Sequence, residues 1–286
     1  MALRLPRALL EGLVDDAAVF PPGLAPLPRA VAEHLARTAY RDCIGPLLVP
    51  ATAAADVLAL ADGAHLRVGL IARPGMPVGP VRDGVAALAD SSVQVAGVEV
   101  GAGSDWEGLL DLDVPVTVEI PRDGFTEALD RVSAVSAVSA VSADAGGHPL
   151  VQAKFRTGAT DVWAWPDEAE LARFIVAATA RGLAFKLTGG LHHILRADHP
   201  GPSGGPQHGL LNVLAAVHAA ATHAAAERTV ASTLAARDAG PLAAVLDALT
   251  DDDVAAVRAA FTAYGCCDVL DPLGELAGLG LIDKEH

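Results

Sequence analysis

Two lysines and an arginine stand in segments that are otherwise apolar. Lys154 and Arg156 lie in "AKFRTG" (153–158), and Lys186 follows in "AFKLTGG" (184–190). Strand alternation puts Gln152, Lys154 and Arg156 on one face of the first segment, opposite Val151, Ala153 and Phe155. In the second, Ala184, Lys186 and Thr188 oppose Phe185 and Leu187. With the apolar faces packed on outer helices, both ammonium groups turn inward. Two amines crowded in a dry pocket discourage each other's protonation, and burial acts in the same direction. An amine held neutral in this way is a nucleophile for Schiff-base chemistry. The plainer alternative is a structural ion-pair cluster, because Glu119 in "VTVEI" and Glu99 in "VQVAGVEV" also face inward by alternation.

These residues need a scaffold that brings the ends of several strands together. Short aliphatic runs recur at 13–20, 44–50, 66–72, 93–100, 114–120, 150–158, 183–189 and 228–236. Helix-like stretches separate them at 28–41, 52–61, 80–90, 124–140, 166–181 and 209–225. The alternation predicts an α/β fold, a (β/α)8 barrel over residues 1–286, with 238–286 as a C-terminal helical extension. A doubly wound open sheet is the competing architecture. Both lysines sit just before "TG" or "TGG", at the strand ends where parallel α/β proteins bind ligands. The repeat "VSAVSAVSAVSA" (132–143) fits neither a helical nor a strand period and reads as an expansion in an outer helix or its loop.

The two strand motifs resemble those of deoxyribose-phosphate aldolase, a class I aldolase built on a (β/α)8 barrel. The resemblance rests on Lys154, Thr157 and Gly158 in the sixth strand and on Lys186, Gly189 and Gly190 in the seventh. It implies that Lys154 forms the Schiff base, that Lys186 perturbs its pKa, and that an acidic residue transfers protons. Glu119 is the candidate for that acid, with Glu99 behind it. Thr157, Thr188, Gly189 and Gly190 then belong to the substrate surface. Arg156, in place of a small residue, brings a fork of donors suited to a carboxylate or phosphate.

The next segment, "GGLHHILRADHPGPSGGPQHG", holds four of the ten histidines, and its "RADHPGPSGGPQHG" part (196–209) reads as a loop opening onto the barrel mouth. His192, His193 and His208 are candidates for substrate binding or proton transfer, and Asn212 follows one turn after His208. A divalent metal held by these histidines and an inward glutamate is the alternative chemistry, although no metal-specific spacing such as HExxH occurs. In "DDAAVFPPG" at least one of Asp15 and Asp16 can face the pocket, and Asp16 is taken as the substrate-side candidate. The readings that remain open are an aldolase-like lyase without cofactor, a metal-dependent lyase, isomerase or hydrolase, and a noncatalytic barrel that binds a small anionic or carbonyl ligand.

Composition sets limits. With 20 Lys plus Arg against 35 Asp plus Glu, the formal charge is −15, which argues against nonspecific nucleic-acid binding. Three cysteines make no disulfide framework, and a reducing cytoplasmic setting is expected. The N-terminal apolar run is interrupted before a signal-like core forms, and no uninterrupted apolar stretch is long enough to span a membrane. Self-association into a homo-oligomer is left open.

Overall fold

The computed structural model describes residues 3–140, 151–161, 163–200 and 205–285. Chain order runs β1 (Val14–Asp16), α1 (Leu27–Ala36), β2 (Ile44–Pro50), α2 (Ala54–Ala61), β3 (Leu66–Ile71) and α3 (Gly79–Leu88). There follow β4 (Val93–Gly101), β5 (Val116–Glu119), α4 (Phe125–Ala140), β6 (Val151–Arg156), α5 (Glu168–Ala180) and β7 (Phe185–Thr188). A small antiparallel hairpin, β8 (Ala197–His199) and β9 (Gly205–Gln207), precedes α6 (Leu210–His223), α7 (Glu227–Leu234), α8 (Ala239–Asp247) and α9 (Asp251–Ala260). The chain ends with β10 (Phe261–Cys266) and α10 (Leu270–Gly278). Eight parallel strands close in the order β1-β10-β7-β6-β5-β4-β3-β2. This is the expected (β/α)8 barrel with additional C-terminal helices.

Seven strand positions agree with the sequence reading; the eighth moves. The run expected as a strand at 228–236 lies mostly in α7 (Glu227–Leu234), because Val230 and Leu234 lie four apart and bury the same helical face. The closing strand is β10, whose Tyr264 pairs with Val14 of β1 and with Leu187 of β7. It lies inside the segment assigned to a C-terminal extension. The loop expected at 196–209 contains the β8–β9 hairpin, formed despite its glycines and prolines. The repeat lies in α4 as far as Ala140, and its remainder falls outside the described residues. Among the described residues no helix is long and apolar enough to cross a membrane.

The outward faces of β6, β7 and β10 explain why the barrel packs where it does. Phe174 of α5 stacks on Phe155 at 4.7 Å and meets Phe185 edge-on at 5.1 Å; Phe185 in turn stacks on Phe261. An Asp167/Glu170 capping box begins α5 and satisfies donors that its first turn would leave free. With these aromatics outside, Lys154 and Lys186 must lie inside, paired across the β6–β7 ladder. Within the barrel Leu48 fills the space over two glycines: a Cβ added at Gly69 would come within 2.6 Å of it, and one at Gly265 within 3.3 Å.

Phe174→Ala is expected to cost about 3–5 kcal/mol of unfolding free energy, the range for removing a buried aromatic. Urea denaturation followed by circular dichroism measures it.

Candidate functional site

Alternation on β6 and β7 aims both lysines into the interior, and neighbouring strands supply acids at matching heights. Glu119 pairs in register with Lys154, and Lys154 with Lys186. Glu99 enters from β4 and Asp15 from β1. The result is a file of alternating charge: Arg156, Glu119, Lys154, Glu99, Lys186, Asp15.

Arg156 donates to Glu119 through Nε at 2.9 Å and Nη2 at 3.4 Å. Lys154 Nζ lies 2.9 Å from Oε2 of Glu119 and 2.9 Å from Oε2 of Glu99. The other oxygen of Glu99 accepts from Lys186 Nζ at 2.6 Å, and Lys186 also pairs with Asp15. Asp15, Glu99 and Lys154 are 1–3 % exposed and Glu119 and Lys186 8 %, whereas the side chain of Arg156 is 33 % exposed. The file runs from a dry end at Asp15 to a wetter one at Arg156. Three cations face three anions, so the cluster is balanced rather than positive. Beneath it Gln152 donates to Thr117 and accepts from Thr262, a neutral polar layer.

The expected mutual depression of the lysine pKa values does not occur. Burial opposes the charge on Lys154, but Glu119 and Glu99 outweigh it and hold its pKa above the ordinary value. Burial likewise opposes the charge on Lys186, and Asp15 and Glu99 outweigh it in the same way. A carboxylate stands beside each amine, so the second lysine does not set the balance. Against the same cost of burial, the two lysines hold Glu99 down to about 2. Lys154 and Arg156 hold Glu119 below its usual value. At Asp15 burial wins over Lys186 and lifts the carboxyl to about 6.

Of the two adjacent aspartates, Asp15 joins the file and Asp16 does not. Asp16 turns toward α1, where its Oδ2 lies 3.0 Å from His34 Nδ1 and 3.6 Å from Arg37. Val14 of β1 pairs with the outward Tyr264 and Ile44, so the next residue must point in. Asp16 lines a cleft of about 710 Å³ between α1 and the β10–α10 loop, which none of the lysines reaches.

Thr157 donates to the carbonyls of Thr188 and Gly189, tying the two strand ends together. Both Gly189 and Gly190 have φ of +74°, a conformation that favours glycine. Thr188 closes β7 beside Arg156.

The histidines disperse. His192 lies near Cys267 and 3.4 Å from Asp271; His193 contacts Glu275 at 2.6 Å and stacks on His199. His208 donates from Nε2 to the carbonyl of Pro166 and is pushed down to about 4, chiefly by burial. Asn212 accepts from the Arg196 amide and donates to the carbonyls of Thr233 and Ala236, which commits it to joining α6 to α7. The described part of this segment is thus tied to α5, α6, α7 and α10. Among the described residues no three His, Cys, Asp or Glu side chains are grouped to hold a metal ion. The metal alternative required His208 and an inward glutamate at one point, and His208 is turned to Pro166 instead.

Compared with protein-family models, with curated proteins and with solved structures, the chain gives no match. What is shown is the closed eight-stranded parallel barrel with its helices, not membership of a particular aldolase family.

Two outcomes test the file. Glu99→Gln leaves two buried ammonium groups without their shared carboxylate and is expected to cost about 3–5 kcal/mol of stability in urea unfolding. Glu99 and Glu119 bind protons more weakly folded than unfolded, so their contribution is full above about pH 4.5 and lost as pH falls toward 2. Asp15 acts oppositely, losing its contribution as pH rises from 3.8 through about 6. Urea midpoints between pH 2 and 7 should show a steep acid limb, and Asp15→Asn should remove the opposing slope between pH 4 and 6.

Proposed function

We propose that the protein is a class I aldolase-like carbon–carbon lyase acting on a small carbonyl compound that carries an anionic group. The observation that supports this most is the position of Lys154, with its amine 2.9 Å from each of two carboxylates and a second lysine on the far side of Glu99. Schiff-base formation needs an amine, a group to take its proton and a group to return one to the departing water. Those groups are adjacent here.

At rest Lys154 is charged, so its activation must be coupled to substrate. Arg156 is the most exposed member of the file and the first to meet an anion. When its guanidinium turns from Glu119 to the substrate, Glu119 keeps a single cationic partner and its proton affinity rises. It can then accept the proton of Lys154, freeing the amine to attack the carbonyl. Glu119, now protonated, is placed to return that proton as water leaves the carbinolamine, while Glu99, kept ionised by Lys186, steadies the iminium charge. The resulting iminium takes up the electron pair of the breaking C–C bond. Lys186 keeps Glu99 oriented; this replaces its expected role in depressing the pKa of Lys154.

Borohydride trapping with small aldehydes and ketones bearing a carboxylate or phosphate, followed by intact-mass analysis and peptide mapping, tests the reading. A reduced adduct on Lys154 is expected. Its yield should climb between pH 7 and 10, because the amine must lose a proton that it holds above the ordinary lysine value. Arg156→Gln should lower the yield at least tenfold for anionic carbonyls and little for neutral ones. An absence of adduct across this range, or equal adduct in Lys154→Met, would overturn the proposal.

A further inference from the structure

The N-terminal face of the barrel, opposite the strand ends that carry Arg156 and Thr188, holds a second cavity of about 370 Å³. Its wall includes Arg41, Arg67, His34 and His65, with Asp42, Ile44 and the glycines Gly12 and Gly45. Four basic side chains thus share one concavity on a chain of formal charge −15. Local clustering of this kind survives the net charge, because salt screens the rest of the surface beyond roughly 8–10 Å.

The acids facing the cavity are already engaged. Asp42 accepts from Arg7 at both oxygens, at 2.6 and 2.5 Å. Asp15 lies behind Gly45, where an added Cβ would come within 2.1 Å of its Oδ1, and it is paired with Lys186. Arg41 uses Nη1 on the carbonyl of His34. His34 contacts Asp16, and His65 lies 3.1 Å from the carbonyl of Ser92. The side chain of Arg67, exposed at the start of β3, makes no hydrogen bond or ion pair with any described residue. Among the described residues its charge enters no ion pair and acts only at a distance, on the Asp15 carboxyl, on the face of such barrels that ordinarily carries stability rather than ligands.

We propose that this basal cavity binds a phosphate-type anion, inorganic phosphate or the head of a phosphate monoester, between Arg41 and Arg67. Two guanidinium forks match the several oxygens of a phosphate better than the two of a carboxylate. The cavity has the volume for a small phosphorylated metabolite, and its glycine walls leave the space clear.

Titration calorimetry with inorganic phosphate and, separately, with methyl phosphate tests the site at constant ionic strength, with chloride as the reference salt. In an Arg156→Gln background, which removes the anion contact at the barrel mouth, saturable one-to-one binding is expected to persist and to weaken at least tenfold when Arg67→Gln or Arg41→Gln is added. Tighter binding of methyl phosphate assigns the ester, and the reverse assigns the free ion. Arg67→Lys, which keeps the charge but loses the fork, should bind at an intermediate level and guards against a folding defect in the glutamine variant. The proposal fails if neither probe binds, if adding Arg67→Gln leaves binding unchanged, or if Arg156→Gln alone abolishes binding.

Discussion

The interior of this barrel depends on one physical requirement: every charge taken out of water must lie beside its opposite. Barrels of this class are ordinarily filled by layers of branched aliphatic side chains. Here Asp15, Glu99, Glu119, Lys154 and Lys186 occupy that space, and Arg156 extends the series to the mouth. Desolvating each ion costs several kcal/mol, and contact with the next ion offsets it only where the geometry is good. The strand register supplies that geometry by setting Glu119, Lys154 and Lys186 side by side.

The same requirement shapes the chemistry. Two lysines alone would leave one amine neutral and ready to react. Two lysines with a carboxylate between them stay charged, and the proton must be moved before anything is attacked. In the proposed reaction this happens at the open end of the file, where Arg156 is the most exposed member. The proposed gating would favour substrates that carry their own negative charge.

Much of this was legible in the residues themselves. Alternation in "VQAKFR" and "FKLT" was enough to turn both lysines inward, because Phe155 and Phe185 needed the aromatic surface of Phe174 outside. The same reasoning found Glu99 and Glu119. It did not separate Asp15 from Asp16, since adjacent identical residues carry no alternation and the answer came from the pairing of Val14 with Tyr264. The direction of the lysine pKa shifts was also hidden, because it depends on side-chain distances rather than on strand order. The histidines looked like a cluster along the chain, but the hairpin and the α5–α7 packing send them to different partners. The last strand was missed because the "RTVASTL" run can serve a strand or a helix, and only Val230 and Leu234 docking together chose the helix.

The place of β10 also bears on how the molecule is made. Four consecutive helices, α6 to α9, separate β7 from the strand that completes the circle, and β10 pairs with a strand near the start of the chain. During synthesis β1 and β7 therefore each keep an open edge until β10 has been made. Exposed edges invite pairing with other chains, and contacts so distant in sequence form slowly. The three-residue β1, with aspartate at two of its positions, is a poor template for such pairing until its partners arrive.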